Sequence, residues 1–274
     1  MKDAQLRNLE RGGQDAERWL LERLRAGEPY QFGPIETACP AMFEACEAVR
    51  AAGQSAVLLL AERESGAQRL ARASNRILFG ARAPFVHESC QVTESLLHVE
   101  LVGGVRGGLH GRQPPCLIYQ ASGGTLYLDE ADHLSPAIQE LLIQLLQEGT
   151  YRELESGFAT EVNITFEARP LRLMLSAESD ESLLPALKEV LVPIRVPPLR
   201  ERGVDLELLV PQITTRVFDT SPEVWELLRS HTWPTNYRAF CGVMKELGET
   251  PATPEQVVEL LARNDWTPPP PELY

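Results

Sequence analysis

Hydrophobic positions along this chain follow two rhythms. Residues 55–61 (SAVLLLA) and 171–177 (LRLMLSA) are short, nearly continuous apolar runs. Such runs predict strands buried on both faces of a parallel sheet. TLYLDE (125–130), bounded by Gly123-Gly124, predicts another strand, and PFVHESC (84–90) and LVPIRV (191–196) are shorter candidates. Between them the apolar period lengthens to that of a helix. Met42, Cys46 and Val49 mark a helix over 41–52, and QRLARASNRILFG predicts one over 68–80, ending at Gly80. The most regular, 135–149, opens on Ser135-Pro136 and closes on Gly149, the residue types that cap helix starts and ends. Strands alternating with helices predict an α/β fold with a mostly parallel sheet.

From about Asp205 the strands stop. DLELLVPQITTRVF (205–218), SPEVWELLRSH (221–231), NYRAFCGVMKELG (236–248) and TPEQVVELLARN (253–264) all have helical spacing, which predicts a small helical domain. The chain closes on TPPPPELY, of polyproline type, read as a solvated end or a short ligand for a proline-binding domain. Near the other end, Trp19, Leu20, Leu21 and Leu24 put an apolar stripe on a short helix, which predicts packing on the body; a coiled coil needs more heptads than are present.

Charge narrows the function. With 26 Lys and Arg against 39 Asp and Glu, the 274 residues carry a net charge of −13, which disfavours a binder of the phosphate backbone. The five cysteines (Cys39, Cys46, Cys90, Cys116 and Cys241) are scattered, with no CxxC pair. That spacing predicts reduced thiols, with neither a zinc site nor a disulfide framework. No apolar run approaches the ~20 residues of a membrane helix, and the first residues lack the apolar core of a signal peptide. The expectation is a cytoplasmic protein.

The sharpest local chemistry is GGTLYLDEAD (123–132), where a buried strand ends on Asp129 and Glu130. An acidic pair there caps a helix, or forms a Walker B site in which the aspartate helps hold Mg²⁺ and the glutamate polarises the attacking water. It is followed in order by LLIQLLQEGTYRELESG (141–157), VPIRVPPLRERGVDLELLV (192–210) and WPTNYRAF (233–240), and preceded by PYQFGPIETACPAMFEA (29–45). In that order and spacing the chain resembles the AAA+ central domain of sigma-54-dependent transcription activators, whose versions read approximately GGTLFLDEI, LLRVLQEGEFERVG, VPIRLPPLRERREDIPLLV and WPGNVREL. The resemblance covers roughly residues 30–248. It implies an AAA+ three-layer α/β sandwich followed by a helical lid, divided into an N-terminal helical extension (1–29), the AAA+ core (30–204), the lid (205–264) and a proline-rich tail (265–274).

The working parts of that family are only partly kept. Its phosphate loop, close to GESGTGKE, uses glycines so that backbone N–H groups wrap the phosphates and a lysine reaches them. Here the stretch is AERESGAQ (61–68), with Ala61, Glu64 and Ala67 in place of two glycines and the lysine, and Gly66 retained. Losing that lysine removes a charge-assisted contact of roughly 1.5–3 kcal/mol; Arg69 is the nearest substitute. Ser89 stands where the family's FVAVNC strand has its coupling asparagine, and His87 on that strand reads as a packed or edge histidine. Glu178 replaces the asparagine of AATNRD, and Ser182 and Lys188 occupy the intersubunit arginine positions. An arginine finger is worth about 10³–10⁵ in rate. The sigma-contacting GAFTGA loop corresponds to Gly107, Gly108, Leu109, His110, Gly111 and Arg112, so its Phe-Thr contact pair has become Leu109-His110. Arg238 is kept where the family places its nucleotide-sensing lid arginine.

Residues that pack the fold are retained, while most that bind and cut ATP are changed. The expectation is a degenerate AAA+ module, a pseudo-ATPase acting as a protein-binding regulator or scaffold, through surfaces inherited from ring assembly or through the 100–112 loop that carries Gly107 to Arg112. Asp129, Glu130, Gly66 and Arg238 would be vestigial, with no cofactor and no metal. The expected partner is another protein, a related AAA+ protein or a signalling component, with no DNA or membrane bound by this chain; self-assembly stays open, without an active ring. The alternatives are a divergent ATP-dependent activator, or a nucleotide sensor that binds Mg-ATP or ADP without hydrolysis.

Overall fold

The computed structural model describes residues 13–103, 116–149, 153–155, 158–160, 171–214, 220–247 and 252–262, with backbone alone for 13–17, 153–155 and 158–160. They fall into two compact units. One takes its residues from 1–46, 62–66 and 196–274, the other from 47–61 and 67–195.

The second unit carries the sheet. Strands β3 (Val57–Leu60), β4 (Phe85–Ser89), β5 (Thr125–Asp129), β8 (Arg172–Ala177) and β9 (Val192–Arg195) pair in the order β4-β5-β8-β3-β9. Every pairing is parallel, as the apolar runs predict. Strand β3 leads through helix α3 (Ala67–Phe79) to β4 at the far edge of the sheet. Ligands of open parallel sheets sit at the carboxyl ends of strands around such a reversal of strand order.

The two faces of the sheet differ. Leu58, Leu126, Leu128, Leu173 and Leu175 belong to one apolar core with Ile138, Leu142 and Leu145 of helix α6 (Pro136–Glu148). The alternate residues meet the polar side chains of α3. Asn75 Oδ1 accepts from Thr125 at 2.9 Å, and the Arg72 guanidinium lies 4.4 Å from the centre of the Phe85 ring. Arg172, 1% exposed, donates to the Ser74 hydroxyl and the Ser55 and Val49 carbonyls. No carboxylate is among those acceptors, and burial lowers its pKa to about 10.

Caps stand where the sequence places them. The Ser135 hydroxyl accepts from the Ile138 N–H, Pro136 opens α6, and Gly149 ends it at φ +66°. Gly124 answers a steric demand, since a Cβ there would lie 2.0 Å from the Pro84 carbonyl oxygen. That same oxygen accepts the Thr125 N–H that aligns β5 with β4. Among the described residues, three helices of this unit are short: α4 (Glu94–Val102), α5 (Leu117–Gln120) and α7 (Pro185–Val190). The same unit also holds a hairpin of β6 (Glu153–Glu155) with β7 (Phe158–Thr160).

Among the described residues, the other unit has helix α1 (Gly13–Arg25), followed by a small hairpin of β1 (Tyr30–Phe32) and β2 (Ile35–Thr37). Leu20 of the predicted stripe is fully buried, and Trp19 and Tyr30 both contact the Phe43 ring, on helix α2 (Pro40–Ala51). The C-terminal helices are α8 (Leu206–Ile213), α9 (Pro222–Ser230), α10 (Asn236–Leu247) and α11 (Pro254–Ala262). They pack a core around Trp233 and Phe240, both fully buried. Asp205, also fully buried, accepts from the Thr37 hydroxyl at 2.8 Å, the Ala38 N–H at 2.8 Å, the Cys39 N–H at 3.1 Å and the Arg202 Nε at 3.0 Å. It ties the opening segment of the chain to the start of the helices. Among the described residues no helix is long and apolar enough to cross a membrane.

Candidate functional site

In the sheet unit, Asp129 ends β5 and Glu130 follows with a left-handed backbone at φ +59°. Strand pairing sets Ser89 beside Asp129. The Ser89 hydroxyl donates to Glu130 Oε2 at 2.8 Å. Asp129 Oδ1 accepts from the Ser176 hydroxyl and, at 3.1 Å, from the Glu130 N–H. The Tyr127 hydroxyl lies 2.9 Å from Ser176 Oγ and 3.1 Å from Asp129 Oδ1. Burial, reinforced by Asp129, raises the Tyr127 phenol well above its ordinary pKa, so it is a neutral donor at physiological pH.

His87 is more engaged than a lone edge histidine. Its Nδ1 is 2.8 Å from Gln68 Nε2, its Nε2 is 3.9 Å from Asp129 Oδ2, and its ring centroid lies 5.4 Å from that of Tyr127. An amide nitrogen at Nδ1 is a donor, which requires Nδ1 to accept and places the proton of the neutral ring on Nε2, toward Asp129. Burial lowers the His87 pKa, and Asp129 opposes that shift. Tyr127, Ser176 and the His87 contacts escape sequence reasoning. The signal available for one of them was the tyrosine in TLYLDE where the related pattern has phenylalanine.

The remaining sheet-side positions are spread out. Ala61 follows β3, with its N–H on the Ala177 carbonyl, and Ala67 opens α3, two residues before Arg69. Glu178 is exposed just beyond β8. Ser182 is exposed, and its carbonyl accepts from Gln139. Lys188 lies 3.7 Å from Asp180. Residues Gly107, Gly108, Leu109, His110, Gly111 and Arg112 lie outside the described residues, as does the proline-rich tail. Among the described residues no three His, Cys, Asp or Glu side chains are placed to hold a metal ion.

The loop 62–66 belongs to the unit of the C-terminal helices, which grip it residue by residue. Glu62 takes a two-pronged contact from Arg200, whose Nη1 is 2.8 Å from Oε2. Asn236 Nδ2 donates to Glu62 Oε2 at 3.2 Å and to the Arg63 carbonyl at 3.0 Å, while Asn236 Oδ1 accepts the Leu199 N–H. The Glu64 carbonyl accepts the Tyr237 N–H at 3.1 Å, and its carboxylate meets Arg238 Nη2 at 3.2 Å. Arg202 Nη1 donates to the Ser65 carbonyl at 3.3 Å. Gly66 has φ +108°, a conformation that favours glycine. Glu64 is also left-handed, at φ +59°, which costs a residue with a Cβ roughly 1–2 kcal/mol. The Ser65 hydroxyl is buried with no hydrogen-bond partner among the described residues.

Comparison with known proteins fits these features. The Sigma-54 interaction domain family matches residues 35–174. The chain is 32% identical over 232 residues to the Nif-specific regulatory protein of Azotobacter vinelandii, covering 78% of this chain and 44% of that protein. It is 30% identical over 233 residues to the regulatory protein AtoC of Escherichia coli K12, covering 79% and 50%. To the nitric oxide reductase transcription regulator NorR2 of Cupriavidus necator it is 36% identical over 195 residues, covering 66% and 37%. The chain thus spans half or less of the length of these three relatives. Among solved structures, NtrX from Brucella abortus in complex with ATP superposes with a TM-score of 0.63 at 20% identity, covering 86% of this chain and 60% of that one. A RuvB mutant of Thermotoga maritima gives 0.54 at 15% identity, covering 80% and 68%. At such identities the structural matches establish the fold alone. With the strand order, the acidic pair ending β5 and a family match over half its length, the chain belongs to the sigma-54 interaction domain family of AAA+ proteins.

Proposed function

We propose that this chain is a catalytically degenerate member of its family: a protein-binding regulator or scaffold that hydrolyses little or no ATP. The observation that carries this reading is the loop after β3. It has alanine where a lysine would meet phosphate, and its Glu64 carboxylate is paired with Arg238. A triphosphate approaching the loop meets a carboxylate in place of a glycine and finds the sensing arginine engaged. On the sheet side, Asp129 spends one oxygen on Ser176 and the Glu130 N–H. Lys188, at a position where the resemblance implies a planar arginine, carries only a point charge beside Asp180. These residues do not fit a magnesium triphosphate.

The partner in this reading is a protein, either a related AAA+ protein or a signalling component. Its support is that the relatives are named as regulatory proteins and transcription regulators. The usual sigma-54 contact pair is replaced by Leu109-His110, which argues against the ordinary contact, and the net charge of −13 argues against DNA binding by these residues. Steady-state assay of the purified protein with Mg-ATP tests the proposal. Turnover far below 1 s⁻¹ is expected, and a rate of about 1 s⁻¹, the low end for ordinary enzymes, overturns it.

A second reading, a sensor that binds nucleotide without cutting it, draws on two observations: the Ser89–Glu130 hydrogen bond and the unpartnered Ser65 hydroxyl. Saturable Mg-ATP or ADP binding without turnover selects it.

A further inference from the structure

The geometry points to Glu64 as a built-in anion: its carboxylate stands on Arg238 and holds the C-terminal helices to the loop with no nucleotide present. This inference rests on the reading above, that the loop no longer serves a triphosphate, and says what the loop does instead. In that unit the arginine of α10 needs a negative partner, and the chain supplies one from 174 residues away in sequence. The contact is one of a set. Arg200 clasps Glu62, Asn236 bonds both Glu62 and the Arg63 carbonyl, the Tyr237 N–H reaches the Glu64 carbonyl, and Arg202 reaches the Ser65 carbonyl. Four consecutive loop residues are therefore tied to two short segments, 200–202 and 236–238.

The backbone of Glu64 strengthens the case. A glutamate is held left-handed where glycine would sit without strain. Such a residue persists when its surroundings over-determine it, and here both its carbonyl and its carboxylate are engaged. Glu64 and Arg238 are each 46% exposed at the side chain, so the pair is salt-sensitive and modest in strength. That suits a latch which a partner's charged surface could release.

Amide hydrogen exchange on the full chain, without nucleotide, tests the latch. The proteins are wild type, Glu64→Gln, Arg238→Gln and the double variant, each in dilute buffer and in 1 M NaCl. Each single variant is expected to speed exchange in peptides over 62–66 and 236–240 about two- to five-fold at low salt, the size of a half-exposed ion pair. The double variant should be no faster than the singles. In 1 M salt, where the screening length falls to about 3 Å, wild type should approach the variants. Peptides from β5 report whether any variant has lost its fold. The charge swap Glu64→Arg with Arg238→Glu should restore slow exchange and so separates the ion pair from packing. Singles that exchange like wild type, or a double variant whose effect is the product of the two, overturn the latch. Because no nucleotide is present, ATP turnover by wild type would overturn the degenerate reading while leaving the exchange cycle to be judged separately.

Discussion

At the scale of single residues, the buried polar groups decide most. Asp205 accepts from two backbone amides, one hydroxyl and a guanidinium, and both it and Arg202 are nearly inaccessible. Asp205→Ala would strand the Arg202 charge and the orphaned amides inside the protein. The expected loss is about 3–5 kcal/mol, read from urea unfolding, and a loss below 1 kcal/mol would contradict the hub. His87 makes a prediction about pH. Its folded pKa lies below the ordinary 6.5 because burial disfavours the charged ring. The unfolded chain therefore takes up the proton first as pH falls, so stability is full above the unfolded pKa and is lost on acidification. His231 is shifted in the same direction, also by burial. The Tm should fall between pH 7.5 and 5.5, and His87→Gln should flatten part of that slope while His231 keeps the rest. An unchanged slope in the variant would contradict the lowered pKa of His87. Cysteine reactivity is a third test. Burial pushes the Cys90 thiol up to about 12, and Cys39 and Cys46 are buried while Cys116 and Cys241 are partly accessible. Alkylation of the native protein should mark Cys116 and Cys241 well before the other three, as mass spectrometry would show.

At the scale of elements, the sequence was legible wherever a local rule sets the structure. Continuous apolar runs became the parallel strands, and Ser135-Pro136 with Gly149 bounded α6 closely. Gly123-Gly124 marks a strand boundary in the sequence, and the structure gives a cause at Gly124, the close approach of the Pro84 carbonyl. Gly124→Ala should therefore destabilise the protein at the upper end of the 1–3 kcal/mol typical of overpacking, in the same unfolding assay. The three-residue strands β1 and β2 and the helix α4 were less legible, because elements that short carry too few periods of pattern. The polar face under α3 was hidden for another reason. Tyr127, Ser176, His87 and Gln68 meet only after strands from distant parts of the chain pair, and no local spacing encodes a contact 49 residues long such as Tyr127 with Ser176. The same holds for Asp205 with Thr37, 168 apart. The sequence singles out Asp129, Glu130, Gly66 and Arg238 as candidates, but not the contacts that each makes within its own unit. That Arg238 pairs with Glu64 follows from the fold and not from either segment alone.

At the scale of the whole molecule, the chain keeps its family's frame, and the loop after β3 has Ala67 where the resemblance implies a lysine. Both carboxylates of that loop are already paired, Glu62 with Arg200 and Glu64 with Arg238, and the reading proposed above is that a triphosphate finds no lysine to meet it there. Thermal unfolding of the full chain in excess Mg-ATP tests that claim most directly, since any ligand that binds the folded state alone raises its stability. For a relative with an intact loop, nucleotide at a hundred times its Kd would add about 2.7 kcal/mol. At this size that corresponds to roughly 5–10 °C in Tm. A Tm unchanged within a degree at millimolar Mg-ATP is the result expected here, and a saturable rise of several degrees would contradict the account.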